Sequence, residues 1–325
     1  MEAVMSHEKR ITKLKERLQP LQATDDMPQA ALKILGQYLM DMLRHEAGSR
    51  TGQDIEDVHK MRVATRRMRS ALRIFKPYFR SKVLRPYEQM IKDTAKVLGD
   101  VRDLDVMLAD LKAYQAQQTP QEQSALQEVI DKLKRKNRLA RVKLIAWLDT
   151  NKFQRFVKDF ARFVHVEGNS KGKAAIEPAS AAEPYQVRHV APVIFYAHLA
   201  AVRAYDNVIA EADIETLHAL RIEFKRLRYV VTFFEAVLGA SAERFIDEIK
   251  ALQEYLGRLN DVQVAQATLS KLSGLSDDAK AALGRYFQVI QAETDEKFTR
   301  FPQAWAHFNS RTVQRQLSDA LLVLR

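Results

Sequence analysis

The stretch His59–Phe75 reads HKMRVATRRMRSALRIF. At helical spacing it carries two stripes. His59, Arg62, Arg66, Arg69 and Arg73 recur at steps of three and four, so they share one face of a helix. Val58, Met61, Thr65, Met68, Leu72 and Phe75 follow similar steps one residue earlier, about 100° round a helix of 3.6 residues per turn. An ordinary amphipathic helix sets its charges opposite its apolar side. Here the basic row borders the apolar row, which draws part of it towards the interior. Cations gathered near an interior repel one another and need an anion to offset them.

The pattern occurs twice. His218–Phe234 reads HALRIEFKRLRYVVTFF. His218, Arg221, Lys225 and Arg228 fall where His59, Arg62, Arg66 and Arg69 fell, and Leu217, Leu220, Phe224, Leu227, Val231 and Phe234 repeat the apolar row. The lead-ins match as well, Asp54-Ile55-Glu56 before one copy and Asp213-Ile214-Glu215 before the other. Two basic helices in one register, with one lead-in, argue for an internal repeat whose copies share a task.

With 325 residues, 46% of them hydrophobic, the chain is long and apolar enough for two folded domains. Its 52 Lys and Arg exceed its 41 Asp and Glu, for a net charge of +11. That excess favours polyanionic partners such as nucleic acid, phosphate polymers or anionic membrane. The absence of cysteine excludes disulfides, thiolate catalysis and thiolate metal sites. The N-terminal MEAVMSHEKRITKLKERL has no apolar signal core, and no run approaches the roughly 18 apolar residues of a membrane span. The expectation is a cytoplasmic protein without a membrane partner. No glycine-rich phosphate loop is present.

Helical periodicity runs through the chain, with no convincing series of alternating strand segments, and the expected fold class is all-α. Residues 1–27 read as a charged helical extension ending near Pro20. A helix over Gln29–Ala47, started by Asp25, Asp26 and Pro28, is expected to break at Gly48–Gly52. The basic helix follows, capped by Asp54 and ended near Pro77. Ser81–Ala116 reads as one helix that Gly99 kinks or splits, Pro120–Asp149 as a Lys- and Arg-rich one, and Phe153–Val166 as a further apolar stretch. Gly168–Pro184 is small, polar and proline-containing, and places a linker at 167–190 between repeats 28–166 and 191–325. In the second repeat, helices are expected over Pro192–Ala210, the second basic row, Ala242–Leu272, Asp277–Arg300 and Gln303–Leu324. Each repeat then holds about four helices, as in an antiparallel bundle. LGDVRDLDV at Leu98–Val106 returns as LGRLNDVQV at Leu256–Val264, and Lys92 and Lys250 stand equally far before the two glycines.

The paired basic rows are the foremost candidate site. A helix rises 5.4 Å per turn and so offers a cation about every 5 Å, a spacing suited to a linear anion. Arginine supplies a forked permanent charge, lysine a point charge. The alternative is a solvated face paired with neighbouring acids, which the matched duplicate disfavours. The histidines are poor metal ligands: no carboxylate stands three or four residues after either, and the adjacent arginines repel a cation. No nucleophile, base and orienting group can be picked out, so no catalysis, cofactor or metal is expected. Asp100 and Asp105 become Arg258 and Gln263 in the second copy, which argues against a catalytic acid cluster. Asp103 and its counterpart Asp261 are expected to orient arginines across the bundle, with Arg102 and Asn260 as phosphate donors. Arg135 and Arg138 are candidates for a second contribution from the fourth helix. Trp147 and Trp305 read as core rather than base-stacking platforms.

The doubled H-x-x-R-x-x-x-[RK]-R-x-R, each copy followed by L-G-x-x-x-D-x-x-V, resembles the conserved histidine α-helical domain family, called CHAD, over about residues 28–320. The resemblance implies two four-helix bundles related by pseudo-twofold symmetry, with a basic channel between them. It implies binding of inorganic polyphosphate and association with polyphosphate granules in the cytoplasm. Members are often fused to a CYTH-type triphosphatase domain, whose run of alternating Glu and Lys is missing here. The binding residues carried over are His59, Arg62, Arg66, Arg69, His218, Arg221, Lys225 and Arg228, with Arg44, Arg203, Lys92 and Lys250 beside them. The expected function is non-catalytic polyphosphate binding. Its rivals are non-specific nucleic-acid binding and an enzyme acting on polyphosphate or phosphoesters.

Overall fold

The computed structural model describes residues 11–16, 18–165 and 184–324. Most of the expected N-terminal helix and of the linker, with Val166, lies outside those residues. The fold is all-α. In chain order the helices are α1 Met27–Arg44, α2 Glu46–Thr51, α3 Ile55–Phe75, α4 Ser81–Gln115, α5 Pro120–Asp149, α6 Asn151–Phe163, α7 Val187–Arg203, α8 Ile214–Phe234, α9 Ser241–Leu269, α10 Asp277–Phe298, α11 Phe301–Phe308 and α12 Arg311–Leu321. Among the described residues no helix is long and apolar enough to cross a membrane.

Local chemistry explains most boundaries. The two basic helices start on matching caps: Asp54 accepts from the Glu56 amide and Asp213 from the Thr216 amide, each at 2.8 Å. Other starts and stops depart from the sequence expectation. The first helix breaks at His45 rather than at Gly48–Gly52, because Glu46 is buried under Arg50 and a short second helix forms there. That helix stops at Gly52, whose φ of 67° suits glycine. Gly99 neither ends nor splits α4, whose 35 residues run on as one helix about 50 Å long. α7 begins at Val187, ahead of the expected Pro192. There the Met27 amide donates to Tyr185 O and the Val187 amide to Asp25 O, both at 2.9 Å, and these bonds tie the starts of α1 and α7 together. The last expected helix is two, since Ser310 caps a fresh start at Arg311.

Apolar side chains form two clusters. The larger takes the buried faces of α1, α3, α7 and α8, the adjoining parts of α4, α5 and α9, and α6, α11 and α12. Its rings join the two halves of the chain: Phe75 meets Phe234 with centroids 5.9 Å apart, and Tyr38 meets Phe233 at 5.7 Å. The smaller holds Leu104–Leu111 of α4, Leu126–Leu133 of α5, Val262–Leu269 of α9 and Ala279–Ile290 of α10. Helix α4 leaves the first cluster at Val101 and enters the second at Leu104, and α9 crosses between Leu256 and Val262. The segment between the apolar zones on α4 and α9 is the LGDVRDLDV and LGRLNDVQV text, and the basic rows of α3 and α8 meet it there.

Beside this junction Asp105 is buried at 6% exposure. Both its oxygens accept from Arg141 Nη2 at 2.9 Å, and Oδ1 also accepts from Asn137 Nδ2 at 2.8 Å. A buried carboxylate persists only with such partners. These bonds fasten α4 to α5. Trp305 is buried and donates to Asp206 at 3.0 Å, while Trp147 donates to Thr94 at 3.1 Å, so each indole has a structural partner.

Candidate anion-binding site

Helices α3 and α8 pack against each other, so the two basic rows face one region. Arg62 lies over Gly99, with Nη2 3.5 Å from Asp103 Oδ1. On the other half, Arg221 Nη1 donates to Asn260 Oδ1 at 3.1 Å. Arg102 Nη1 reaches Glu56 Oε1 at 3.4 Å. Between the halves stands Tyr229, only 4% exposed. The Arg66 guanidinium lies 5.7 Å from its ring centroid and that of Arg228 5.5 Å, one cation from each half on one ring.

The electrostatics show how far these cations lack partners. Burial, then Arg221, Arg66 and Arg62, push the Lys225 ammonium down to about 7, with Asp261 alone opposing. Burial lowers Arg66 and Arg221 as well, and the positive neighbours Arg62, Arg228 and Arg67 add to the effect on Arg66. Burial and then Arg102 lower His59, which leaves its imidazole neutral at pH 7. Several polar atoms are buried without a hydrogen-bond partner: His59 Nδ1, Arg66 Nε, Arg67 Nε and Tyr229 Oη. Desolvated cations facing one another carry a free-energy penalty that an incoming anion with many acceptor oxygens relieves.

The structure brings together His59, Arg62, Arg66, Arg221, Lys225 and Arg228 with Asp103 and Asn260. Other expected site residues stand at the surface. His218 is exposed, so the two matched histidines are not equivalent. Arg69, Lys92, Arg135 and Arg138 are exposed on their helices. Arg44, Arg203 and Lys250 are exposed too, next to the local acids Asp41, Asp206 and Asp247 at 2.9, 3.9 and 2.7 Å. Asp103 does meet an arginine across the bundle. Asp261 acts on Arg221 only through space, and Asn260 takes the direct bond. Sequence spacing does not single out Tyr229 or Arg67, although Arg67 lies over the Tyr38 ring at 5.5 Å. The signal for Tyr229 is a mismatch: it occupies the position of Ser70 in the other copy.

The CHAD domain family model matches residues 33–270. The chain belongs to the CHAD family. The CHAD fold is similar to two solved structures. One is the crystal structure of the CHAD domain from the plant Ricinus communis, with a TM-score of 0.72 and 23% identity over 88% of this chain and 94% of that one. The other is PptA from Streptomyces chartreusis, with a TM-score of 0.66 and 14% identity over 87% of this chain and 100% of that one. At these identities the likeness concerns the CHAD fold alone. No curated protein sequence gave a match.

Proposed function

We propose that this chain binds inorganic polyphosphate in the basic zone between α3 and α8, without catalysing its turnover, and that this binding carries it to polyphosphate granules in the cytoplasm. One observation supports the reading above the rest: Arg66 from one half, and Arg221 and Lys225 from the other, are desolvated in a single field to which the neighbouring Arg62 and Arg228 add positive charge. Successive cations on each helix stand about 5 Å apart along its axis, so a threadlike polyanion meets one after another. Charge-assisted hydrogen bonds to non-bridging oxygens hold it, and the affinity falls as salt rises. Nucleic acids share the phosphate chemistry and bind here through their backbone, without regard to base sequence.

The test is a titration with polyphosphates of several lengths against RNA at physiological salt. Long polyphosphate is expected to bind and to displace RNA. Arg62→Glu combined with Arg221→Glu is expected to weaken binding by at least about 100-fold, at about 1.5–3 kcal/mol for each charged hydrogen bond lost. Normal binding by that folded double variant sinks the assigned site. Phosphate release from polyphosphate with Mg²⁺ that disappears on substitution of His59 or His218 overturns the non-catalytic reading.

A further inference from the structure

The four matched basic positions of α3 and α8 differ at one: where α3 carries Arg66, α8 carries Lys225. Either residue meets an anion as a cation, but only lysine can release its proton near neutrality and act as a nucleophile. Lys225 stands one turn after Arg221 and one turn before Tyr229 on α8. Arg221 Nη1 donates to Asn260 Oδ1 at 3.1 Å, and the Arg66 guanidinium of α3 lies on the Tyr229 ring, so two anchored guanidinium groups flank the amine. Arg62, one turn before Arg66, stands beside them with 30% of its side chain exposed. Among the described residues no hydrogen bond or ion pair holds the Lys225 ammonium. Its Nζ is open to solvent, unlike the sealed Arg66 Nε and Tyr229 Oη nearby. We propose that Lys225 is a self-acylation site: its amine takes the acyl group of a small acyl phosphate, and the guanidinium groups of Arg62 and Arg221 hold the phosphate that leaves.

Burial and then Arg221, Arg66 and Arg62 lower this amine to about 7 from the ordinary 10.5, with only Asp261 opposing. Its neutral form is therefore present at physiological pH, where an ordinary lysine is almost wholly charged and unreactive. An acyl phosphate carries a phosphate dianion next to an electrophilic carbonyl carbon. With the dianion on Arg62 and Arg221, that carbon comes against Lys225. The amine attacks it, an N–C bond forms, and the bond from that carbon to the phosphate oxygen breaks. Phosphate leaves with the electron pair and takes the surplus proton of the amine. The lysine becomes a neutral amide that no later fall in pH recharges. Lys92 and Lys250 lack this setting: both are exposed, and Lys250 is paired with Asp247 at 2.7 Å.

The reaction needs no polymer, and only its effect on polymer affinity rests on the reading above. The experiment is exposure of the full chain to acetyl phosphate at pH 7, with acetylation of each lysine followed by peptide mass spectrometry. Lys225 is expected to react at least about tenfold faster than the exposed Lys60 and Lys76. In Arg62→Gln, the Lys225 rate with acetyl phosphate, divided by its rate with a neutral acetyl ester, is expected to fall severalfold, because only the first reagent uses the guanidinium. Equal rates at Lys225, Lys60 and Lys76, a phosphoryl adduct in place of the acetyl group, or an unchanged ratio in the folded Arg62→Gln variant overturns the site. Prior saturation with long polyphosphate is expected to shield Lys225. Fast acetylation that polyphosphate does not slow upholds the acylation site and counts against the polyphosphate reading alone.

Discussion

Lys225 makes polyphosphate affinity depend on pH near neutrality, with a sign that the site determines. In the free protein its ammonium is held down to about 7, so its charge is incomplete at neutral pH. A phosphate chain laid against it favours the charged form and returns the group towards its ordinary 10.5. Binding therefore takes up a proton and weakens as the pH rises. With those two values as limits, affinity falls by up to about fivefold between pH 7 and 8 and up to about fiftyfold between pH 7 and 9, where each tenfold loss is about 1.36 kcal/mol of binding free energy. His59, lowered by burial and then by Arg102, is already neutral in that window. Long chains are the right ligand, because their many internal phosphates do not titrate there. The assay is a fluorescence or calorimetric titration at constant ionic strength, on wild type, Lys225→Arg and Lys225→Met. The arginine variant, charged at every pH tested, is expected to bind with a flat profile. The methionine variant is expected to bind weakly, also with a flat profile, and to be more stable without ligand by about 1 kcal/mol, because a strained cation is gone. A wild-type affinity constant from pH 7 to 9, or an unchanged slope in Lys225→Arg, refutes the reasoning.

Two other substitutions separate binding from folding. Tyr229→Leu removes the ring shared by Arg66 and Arg228 and is expected to weaken polyphosphate binding by about 1–2 kcal/mol, whereas Tyr229→Phe keeps the ring and binds within a factor of about three, both read by titration. Asp105→Ala strands the Arg141 guanidinium and Asn137 and is expected to destabilise the fold by about 3–5 kcal/mol, measured by urea unfolding.

The sequence alone was enough for the all-α class, the matched basic helices and the Asp54 cap, because helical periodicity and capping are local properties of neighbouring residues. It also set Asp103 against an arginine across the bundle, though only the structure shows that this arginine is Arg62. It misplaced the break near Gly48, where burial of Glu46 outweighed glycine's local preference, and the start of α7, which contacts with Tyr185 and Asp25 set. Symmetry of the text was a poor guide to equivalence: His59 is partly buried and His218 exposed, because each lies at a different depth against the other half. Tyr229 between two arginines and the depressed Lys225 depend on which faces of α3 and α8 meet. That contact joins residues far apart in the chain, and no spacing within either helix encodes it.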